Sequence, residues 1–370
     1  MTSTTEPQGS TDVSTSEVSE SSEPHDINVK LNIEIVRARI KSELESVSSK
    51  SLKDLSPSSN RDFAFRIILK NPNQLPIRCT CRRIAWHMKP KVKTALDQQL
   101  EAGLIRRSTS RWCFPLKAVE KEDGTIRITV DYQKLNELIM DENYPMASVA
   151  DLYCALQEAD TFSRIDLTSA YHQLPVHEDS IEYTAFTCEF GTFEYLVMPM
   201  GIKTAPAWFQ RFMEHVLQKY IEQNVLKVYM DDNFLFTHGL EAHLNIALEI
   251  INTLKLRSLK ASEKKSIVAV EEIEILGHVV SKGKIRPKPQ RSECFKTTPR
   301  PRTLLEMQIW LGIANYYRNF IKDYANIAAP LYALTNSKDL PKKFRKKMEQ
   351  QMVKKSNSNG QLRLKIILNY

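Results

Sequence analysis

The sequence predicts a protein that combines α-helices with β-hairpins. Apolar residues recur at helical spacing in four stretches, which predicts helices over residues 28–50, 91–105, 206–220 and 242–259. Apolar runs on both sides of a tight break predict β-hairpins around Asp123-Gly124, around Gly191-Thr192 and around the adjacent aspartates Asp231-Asp232. At 370 residues, the chain is long enough for two or more domains and a sizeable core.

The N-terminal part changes composition after its first 27 residues. Residues 1–26 hold six acids, no Lys or Arg, and almost no large apolar side chains, so we expect residues 1–27 to be disordered. The helix predicted next has a candidate core face made of Ile33, Ile35, Val36, Ile40 and Leu44. An apolar run over residues 63–69 then predicts a strand.

The formal net charge is +8, which favours an acidic partner such as nucleic acid, although only mildly. Residues 338–370 contribute ten Lys or Arg against two acids, and this excess has solvated disorder as its simplest explanation. The six cysteines lack zinc-finger spacing, which favours free thiols in a reducing compartment. With neither a signal peptide nor an apolar run of membrane-spanning length, we expect a soluble protein without a membrane partner, intracellular, cytoplasmic or nuclear.

Three aspartates are the candidate chemical groups. Asp231 and Asp232 lie at the tip of a predicted hairpin, where most Asp-Asp pairs are ordinary solvated turns. Asp166 ends a strand-like run; it is a metal-ligand candidate if other carboxylates meet it, and otherwise a helix N-cap. Lys121 and Arg127 flank another predicted turn, where ordinary surface charge is the simpler interpretation.

Several ordered motifs decide between these interpretations. They are Asp-Tyr-Gln-Lys-Leu-Asn at 131–136, Asp-Leu-Thr-Ser-Ala-Tyr-His-Gln at 166–173, Met-Pro-Met-Gly at 198–201, Thr-Ala-Pro-Ala-Trp-Phe-Gln at 204–210, Tyr-Met-Asp-Asp at 229–232 and Leu-Gly-His at 276–278. Together they resemble the reverse transcriptase core of gypsy-type LTR retrotransposons, over roughly residues 64–335. Three positions depart from the family pattern: Met200 replaces Phe, Thr204 replaces Asn, and Asn233 replaces an apolar residue.

The resemblance implies an α+β fold of the right-hand polymerase type, with fingers, an antiparallel palm and a thumb. After an N-terminal segment at 28–75, the implied subdomains are fingers at 76–145 and 174–204, palm at 146–173 and 205–282, thumb at 283–336, and a variable basic tail at 337–370.

The resemblance also implies an RNA-directed DNA polymerase that extends a DNA or RNA primer on an RNA template with dNTPs. Two Mg²⁺ ions, or Mn²⁺ as an alternative, would serve nucleotidyl transfer. The implied catalytic and metal-binding residues are Asp166, Leu167, Asp231 and Asp232. The implied nucleotide-binding residues are Lys121, Arg127, Tyr171, Met200 and Gly201, and the implied primer and template contacts are Tyr229, Met230, Leu276, Gly277 and His278.

Two alternatives remain. In the first, the chain is a truncated, catalytically weak relic that only binds nucleic acid. In the second, it is an RNA polymerase. The second fits poorly with an aromatic ring at Tyr171, because that ring would exclude a 2′-hydroxyl. We also expect a chain that copies RNA without degrading it, since the only acids after residue 336 are Asp339 and Glu349.

Overall fold

The computed structural model describes residues 24–120, 124–145, 149–156, 158–289 and 301–335. The helices within these ranges are α1 (Pro24–Ser46), α2 (Lys89–Glu101), α3 (Gln133–Leu138), α4 (Val149–Leu156), α5 (Glu178–Ile181), α6 (Ala205–Val216), α7 (Gln218–Glu222), α8 (Leu240–Leu256), α9 (Leu304–Tyr316) and α10 (Tyr324–Thr335). The strands there are β1 (Ile105–Arg107), β2 (Phe114–Glu120), β3 (Ile126–Val130), β4 (Thr161–Asp166), β5 (Phe186–Cys188), β6 (Gly191–Tyr195), β7 (Leu226–Tyr229), β8 (Asp232–Thr237), β9 (Ile267–Val270), β10 (Glu272–Ile275), β11 (His278–Ser281) and β12 (Lys284–Pro287).

The strands form three sheets. The five-stranded sheet has the order β1-β6-β5-β2-β3, the four-stranded sheet β7-β8-β4-β9, and the three-stranded sheet β10-β11-β12. All pairs are antiparallel except β2 with β5. Among the described residues, no helix has the length and apolar character needed to cross a bilayer.

The four-stranded sheet is covered on both faces. Ile165 and Leu235 belong to the main core, whereas Phe162, Phe234 and Phe236 belong to a second core with α4 and β10-β11. Successive side chains of a strand point to opposite faces, so a strand covered on both sides is apolar almost throughout. The sheet is therefore a rigid support for whatever its strand ends carry.

The N-terminal helix begins and ends four residues earlier than predicted. It begins at Pro24, inside the segment expected to be disordered, and ends at Ser46; residues 1–23 lie outside the described residues. Val36, Ile40 and Leu44 are buried as predicted, and α1 packs against α8 and β9. Ile35 is 59% exposed, so the prediction that it faces the core is wrong.

The strand predicted over residues 63–69 is absent. Phe65, Ile67 and Leu69 are buried, as an alternating strand requires, but the backbone makes only isolated bridges, Phe65 with Val176 and Leu69 with Ile139. Because these two partners lie on different segments, the extended chain finds no continuous neighbour with which to form a ladder.

Two other boundaries also differ from prediction. The β5-β6 turn consists of Glu189-Phe190, because Cys188 pairs with Gly191, which begins β6. Gly191 has a φ of +123°, and a Cβ there would lie 2.3 Å from an Arg107 side-chain nitrogen, so only glycine fits without a shift. The helix predicted over 206–220 divides into α6 and α7 at Leu217, whose backbone is not helical.

A buried histidine joins α8 to the four-stranded sheet. The ring of His243 lies 2.6 Å from Ser163 Oγ on β4 and 2.9 Å from Thr237 Oγ1 on β8. Burial lowers the pKa of His243 to about 4, and the nearby Asp160 opposes this only in part. His172 is half-buried with an enclosed Nδ1 atom, and burial alone lowers its pKa to about 4.

These histidines predict acid-sensitive stability. In the unfolded chain the two histidines bind protons near pH 6.5, whereas in the folded protein they do so only near pH 4. The free energy of unfolding should therefore fall as pH falls from 6.5 towards 4. The upper limit is about 3 kcal/mol for each histidine. Urea unfolding at pH 7 and pH 5 should show a smaller acid loss in His243→Gln than in the parent, with the exposed His87→Asn as control. Equal losses in all three proteins would contradict the prediction.

Candidate active site

The Asp-Asp pair lies at a tight hairpin, as predicted. Tyr229 of β7 pairs with Asp232 of β8, so that Met230 and Asp231 form a two-residue turn. Met230 has a φ of +56°, the sign that such turns require at their first position. A non-glycine residue there costs about 1–3 kcal/mol and persists only when its surroundings hold it in place.

A buried glutamine holds this turn. Gln210 on α6 accepts a hydrogen bond from the Met230 backbone N–H (2.7 Å) and donates one to the Val228 carbonyl (2.9 Å). Sequence reasoning missed this role, although Gln210 ends the Thr-Ala-Pro-Ala-Trp-Phe-Gln motif. The sequence feature that could have revealed it is a polar residue, Gln210, on the apolar face of α6, because a buried amide group needs hydrogen-bond partners.

The third aspartate lies directly across the sheet from the hairpin. Asp166, the last residue of β4, pairs in register with Asp232, the first residue of β8. Cross-strand neighbours share one face of a sheet, with Cβ atoms about 5 Å apart. The structure thus brings together the three aspartates that the sequence marked as candidates.

Burial opposes the ionisation of two of these carboxylates, Asp166 and Asp232. It is the main cause of the raised pKa of Asp166 and of Asp232, and the charge of Asp231 raises both further. Two cations act in the opposite direction: Lys265 Nζ lies 3.9 Å from Asp166 Oδ1, and Arg164 Nε lies 3.7 Å from Asp232 Oδ1.

The donor set fits a hard divalent cation. Asp166 Oδ1 is buried without a hydrogen bond, and carboxylate oxygens are the ligands that Mg²⁺ prefers. Within the described ranges, no three Asp, Glu, His or Cys side chains are already gathered closely enough to hold a metal ion. Close carboxylates repel one another and are tolerated together only around a cation. Leu167, whose carbonyl was a predicted ligand, is buried, and its backbone bridges to Ala261.

The raised pKa values predict that the site destabilises the metal-free protein. A carboxyl group whose pKa is higher in the folded protein than in the unfolded chain lowers the free energy of unfolding once the pH exceeds its folded-state pKa. At pH 7, the charges of Asp166 and Asp232 therefore destabilise the folded protein. We expect Asp232→Asn to raise the Tm of the metal-free protein by a few degrees, measured with EDTA. Added Mg²⁺ should stabilise the parent and have less effect on the variant. A lower Tm in the variant with EDTA would contradict this explanation.

Tyr171 lies beside the aspartates. It belongs to a 3₁₀ turn, Ala170–Gln173, that follows β4, and its ring packs edge-on against Phe209 with centroids 5.4 Å apart. Burial raises the pKa of Tyr171, and the charge of Asp231 raises it further, which reflects the proximity of the two side chains. The half-buried ring therefore packs next to the Met230-Asp231 turn.

The other predicted nucleotide-binding residues are more dispersed. Arg127 is exposed on β3, opposite Val119 of β2, and Lys121 lies outside the described residues. Met200 is half-buried, and Gly201 has a φ of +96°.

Asn136 fixes the loop that contains Met200 and Gly201. Its side chain donates to the Gly201 carbonyl (2.9 Å) and accepts from the Lys203 N–H (2.9 Å). This role was missed, although Asn136 ends the Asp-Tyr-Gln-Lys-Leu-Asn motif. The arrangement gives the motif's last residue a defined structural purpose.

The second predicted nucleic-acid hairpin joins β10 to β11. Its turn residues, Leu276 and Gly277, both have positive φ, +47° and +84°, as a type I′ turn requires. His278 is only 3% exposed and is enclosed by four rings, those of Tyr153, Tyr316, Tyr317 and Phe320. The His278 side chain is therefore buried, and a contact of this residue with primer or template stays a prediction.

That buried ring connects separate parts of the chain. Tyr153 Oη on α4 lies 2.5 Å from His278 Nδ1, and the Tyr316 hydroxyl on α9 donates to the Leu276 carbonyl. On the other hairpin, Tyr229 and Met230 are both half-buried.

Asn233 is accommodated within the sheet despite its departure from the family pattern. Its side chain is buried and donates to the Ile165 carbonyl at 3.2 Å, from the strand that carries Asp166.

Comparisons with known proteins agree with this geometry. Residues 119–280 match the family model of reverse transcriptase (RNA-dependent DNA polymerase). The Pol polyprotein of transposon 297 from Drosophila melanogaster is 33% identical over 269 residues, which are 71% of this chain and 25% of that protein. The Pol polyprotein of transposon opus from the same organism is 31% identical, over 74% of this chain and 28% of that protein. The chain spans about a quarter of the length of these curated relatives.

Solved structures show the same fold. A foamy viral protease–reverse transcriptase in complex with double-stranded DNA superimposes with a TM-score of 0.74 at 22% identity, over 88% of this chain and 59% of that one. The foamy viral enzyme in complex with an RNA/DNA hybrid gives a TM-score of 0.69 at 21% identity, over 93% of this chain and 48% of that one. The architecture is the right-hand polymerase fold, and the chain contains a reverse transcriptase domain whose homologues are the Pol polyproteins of LTR retrotransposons.

Proposed function

We propose that this protein is an RNA-directed DNA polymerase that extends a DNA or RNA primer on an RNA template. The observation that carries the proposal is the register of β4 with β8, which places Asp166 opposite Asp232 with Asp231 at the adjoining turn. Three carboxylates at the end of a rigid sheet suit nucleotidyl transfer better than nucleic-acid binding, which needs positive charge.

Asp166, Asp231 and Asp232 would hold two Mg²⁺ ions, or Mn²⁺, with the Leu167 carbonyl as a further oxygen ligand. These ions supply charge neutralisation for the attacking 3′-oxygen and the leaving pyrophosphate. The positive charges of Lys265 and Arg164 lower the pKa of Asp166, and that of Arg164 lowers the pKa of Asp232, in each case against the effect of burial.

The remaining predicted residues would contact the dNTP and the primer end. Arg127 and Lys121 would bind the triphosphate of the dNTP, because a guanidinium and an ammonium suit a polyphosphate. Tyr171 would pack beneath the sugar, beside Met200 and Gly201. The backbones of the two hairpins, at Tyr229-Met230 and Leu276-Gly277, would support the primer end.

We assign the subdomains from the sheets. The five-stranded sheet lies within the predicted fingers (76–145 and 174–204), and the four-stranded sheet within the predicted palm (146–173 and 205–282). Strand β12 pairs with β11, so the three-stranded sheet crosses the predicted palm–thumb boundary at residue 282. We therefore place the boundary after Pro287, with α9 and α10 in the thumb.

The test is extension of a labelled DNA primer on an RNA template with dNTPs and Mg²⁺. Template-directed extension with dNTPs, and little with rNTPs, is the expected result. Tight binding to the primer–template without extension, in Mg²⁺ and in Mn²⁺, would instead support the alternative of a catalytically weak binding protein. Extension with rNTPs alone would support an RNA polymerase.

A further inference from the structure

A chain of hydrogen bonds leads from the segment before α4 to the catalytic turn. The Tyr144 hydroxyl donates to Glu214 Oε2. Gln210 Nε2 donates to Glu214 Oε1 at 2.7 Å, and Gln210 Oε1 accepts from the Met230 N–H at 2.7 Å. The side chains of Tyr144, Glu214 and Gln210 thus connect residues 141–145 to the residue next to Asp231, and we call them the relay.

The relay determines which way the Gln210 amide points. A glutamine amide has one oxygen acceptor and one NH₂ donor of nearly equal size. Here both hydrogens of the NH₂ group have acceptors, Glu214 Oε1 and the Val228 carbonyl, so the oxygen faces the Met230 N–H. A carboxylate at position 214 accepts only, so the flipped amide would place two acceptor oxygens against each other at Glu214, and also two donors against each other at Met230.

Tyr144 in turn orients Glu214. Burial raises the pKa of Tyr144 to about 12, with Glu214 contributing, so the hydroxyl keeps its proton and donates. The Arg211 guanidinium lies 5.0 Å from the Tyr144 ring and 5.4 Å from the Trp208 ring, while pairing with Glu142.

A separate contact attaches the same segment to the loop before α6. Lys203 Nζ lies 2.5 Å from Asp141 Oδ1. Together with the Arg211–Glu142 pair, this ion pair holds residues 141–144 near α6 independently of the Tyr144 hydroxyl. Loss of that hydroxyl should therefore leave the segment attached.

We propose that Glu214 and Tyr144 are positioning residues of the polymerase site, which act through Gln210 to hold the Met230-Asp231 turn in its strained conformation. The proposal rests on the proposed polymerase function. Met230, with φ at +56°, needs such external support, and a small misplacement of a catalytic group can reduce a rate by about a hundredfold.

The activity test compares Glu214→Gln and Tyr144→Phe with the parent. We expect kcat per active site, from pre-steady-state bursts, to fall about tenfold in Glu214→Gln and less in Tyr144→Phe, with the KM for dNTP unchanged. Because the relay is serial, the double variant should be no slower than Glu214→Gln alone. Tyr220→Phe is the matched control, since it removes a hydroxyl that bonds to Thr253 outside the relay. Additive losses, or an equal loss in the control, would overturn the proposal.

A second measurement does not depend on activity. Hydrogen exchange of the Met230 amide, followed by NMR, should be slow in the parent and in Tyr220→Phe but faster in Glu214→Gln. Unchanged exchange in Glu214→Gln would overturn the relay even if polymerase activity were confirmed. If the parent extends no primer, the proposed function fails, and faster exchange in Glu214→Gln would still support the relay.

Discussion

Replacement of Asp231 by asparagine is expected to reduce primer extension by about a thousandfold or more while leaving the fold intact. Asp231 is exposed at the two-residue turn, so its carboxylate contributes little to packing. An amide keeps the size of the side chain but removes the negative charge that a metal site with few ligands needs. The loss should therefore appear in kcat rather than in stability.

The measurement is single-turnover extension with Mg²⁺ as the only metal, together with thermal unfolding. Asp97→Asn, which neutralises an exposed acid on α2, is the control and should extend primer normally. A near-parental rate in Asp231→Asn would remove Asp231 from the metal site. A large decrease in Tm in that variant would show that the turn has a structural role instead.

Replacement of Tyr171 by valine is expected to admit ribonucleotides. The ring is fixed against Phe209 beside the aspartates, where it would occupy the space that a 2′-hydroxyl needs. Removal of the ring opens that space, and we expect the preference for dNTP over rNTP, as a ratio of kcat/KM, to fall by about a hundredfold.

Tyr171→Phe is the matched control because it keeps the ring and removes only the hydroxyl. It should retain the parental preference for dNTP. An unchanged preference in Tyr171→Val would mean that Tyr171 is an ordinary packed aromatic residue. An equal loss in both variants would assign discrimination to the hydroxyl rather than to the ring.

Local sequence patterns were sufficient to predict the hairpins and most of the helices. The Asp-Asp hairpin and the apolar face of α6 (Phe209, Phe212 and Met213) follow from side-chain periodicity and turn chemistry, which depend on neighbouring residues only. The failures have causes that are not local. The Phe63–Leu69 segment alternates like a strand, but whether a strand forms depends on a partner, and that partner is supplied by distant parts of the chain.

The sequence by itself determined the chemical groups: three aspartates, an aromatic residue at 171 and a tight hairpin, each recognisable from residue type and order. Only the tertiary structure decided which of them meet. Asp166 and Asp232 become neighbours through the pairing of β4 with β8, and His278 becomes buried because α4 and α9 cover it. The orientation of Gln210 likewise depends on Glu214 and Val228 together. Apart from the bond between Gln210 and Glu214 within α6, these contacts join residues on different elements, and no local pattern encodes them.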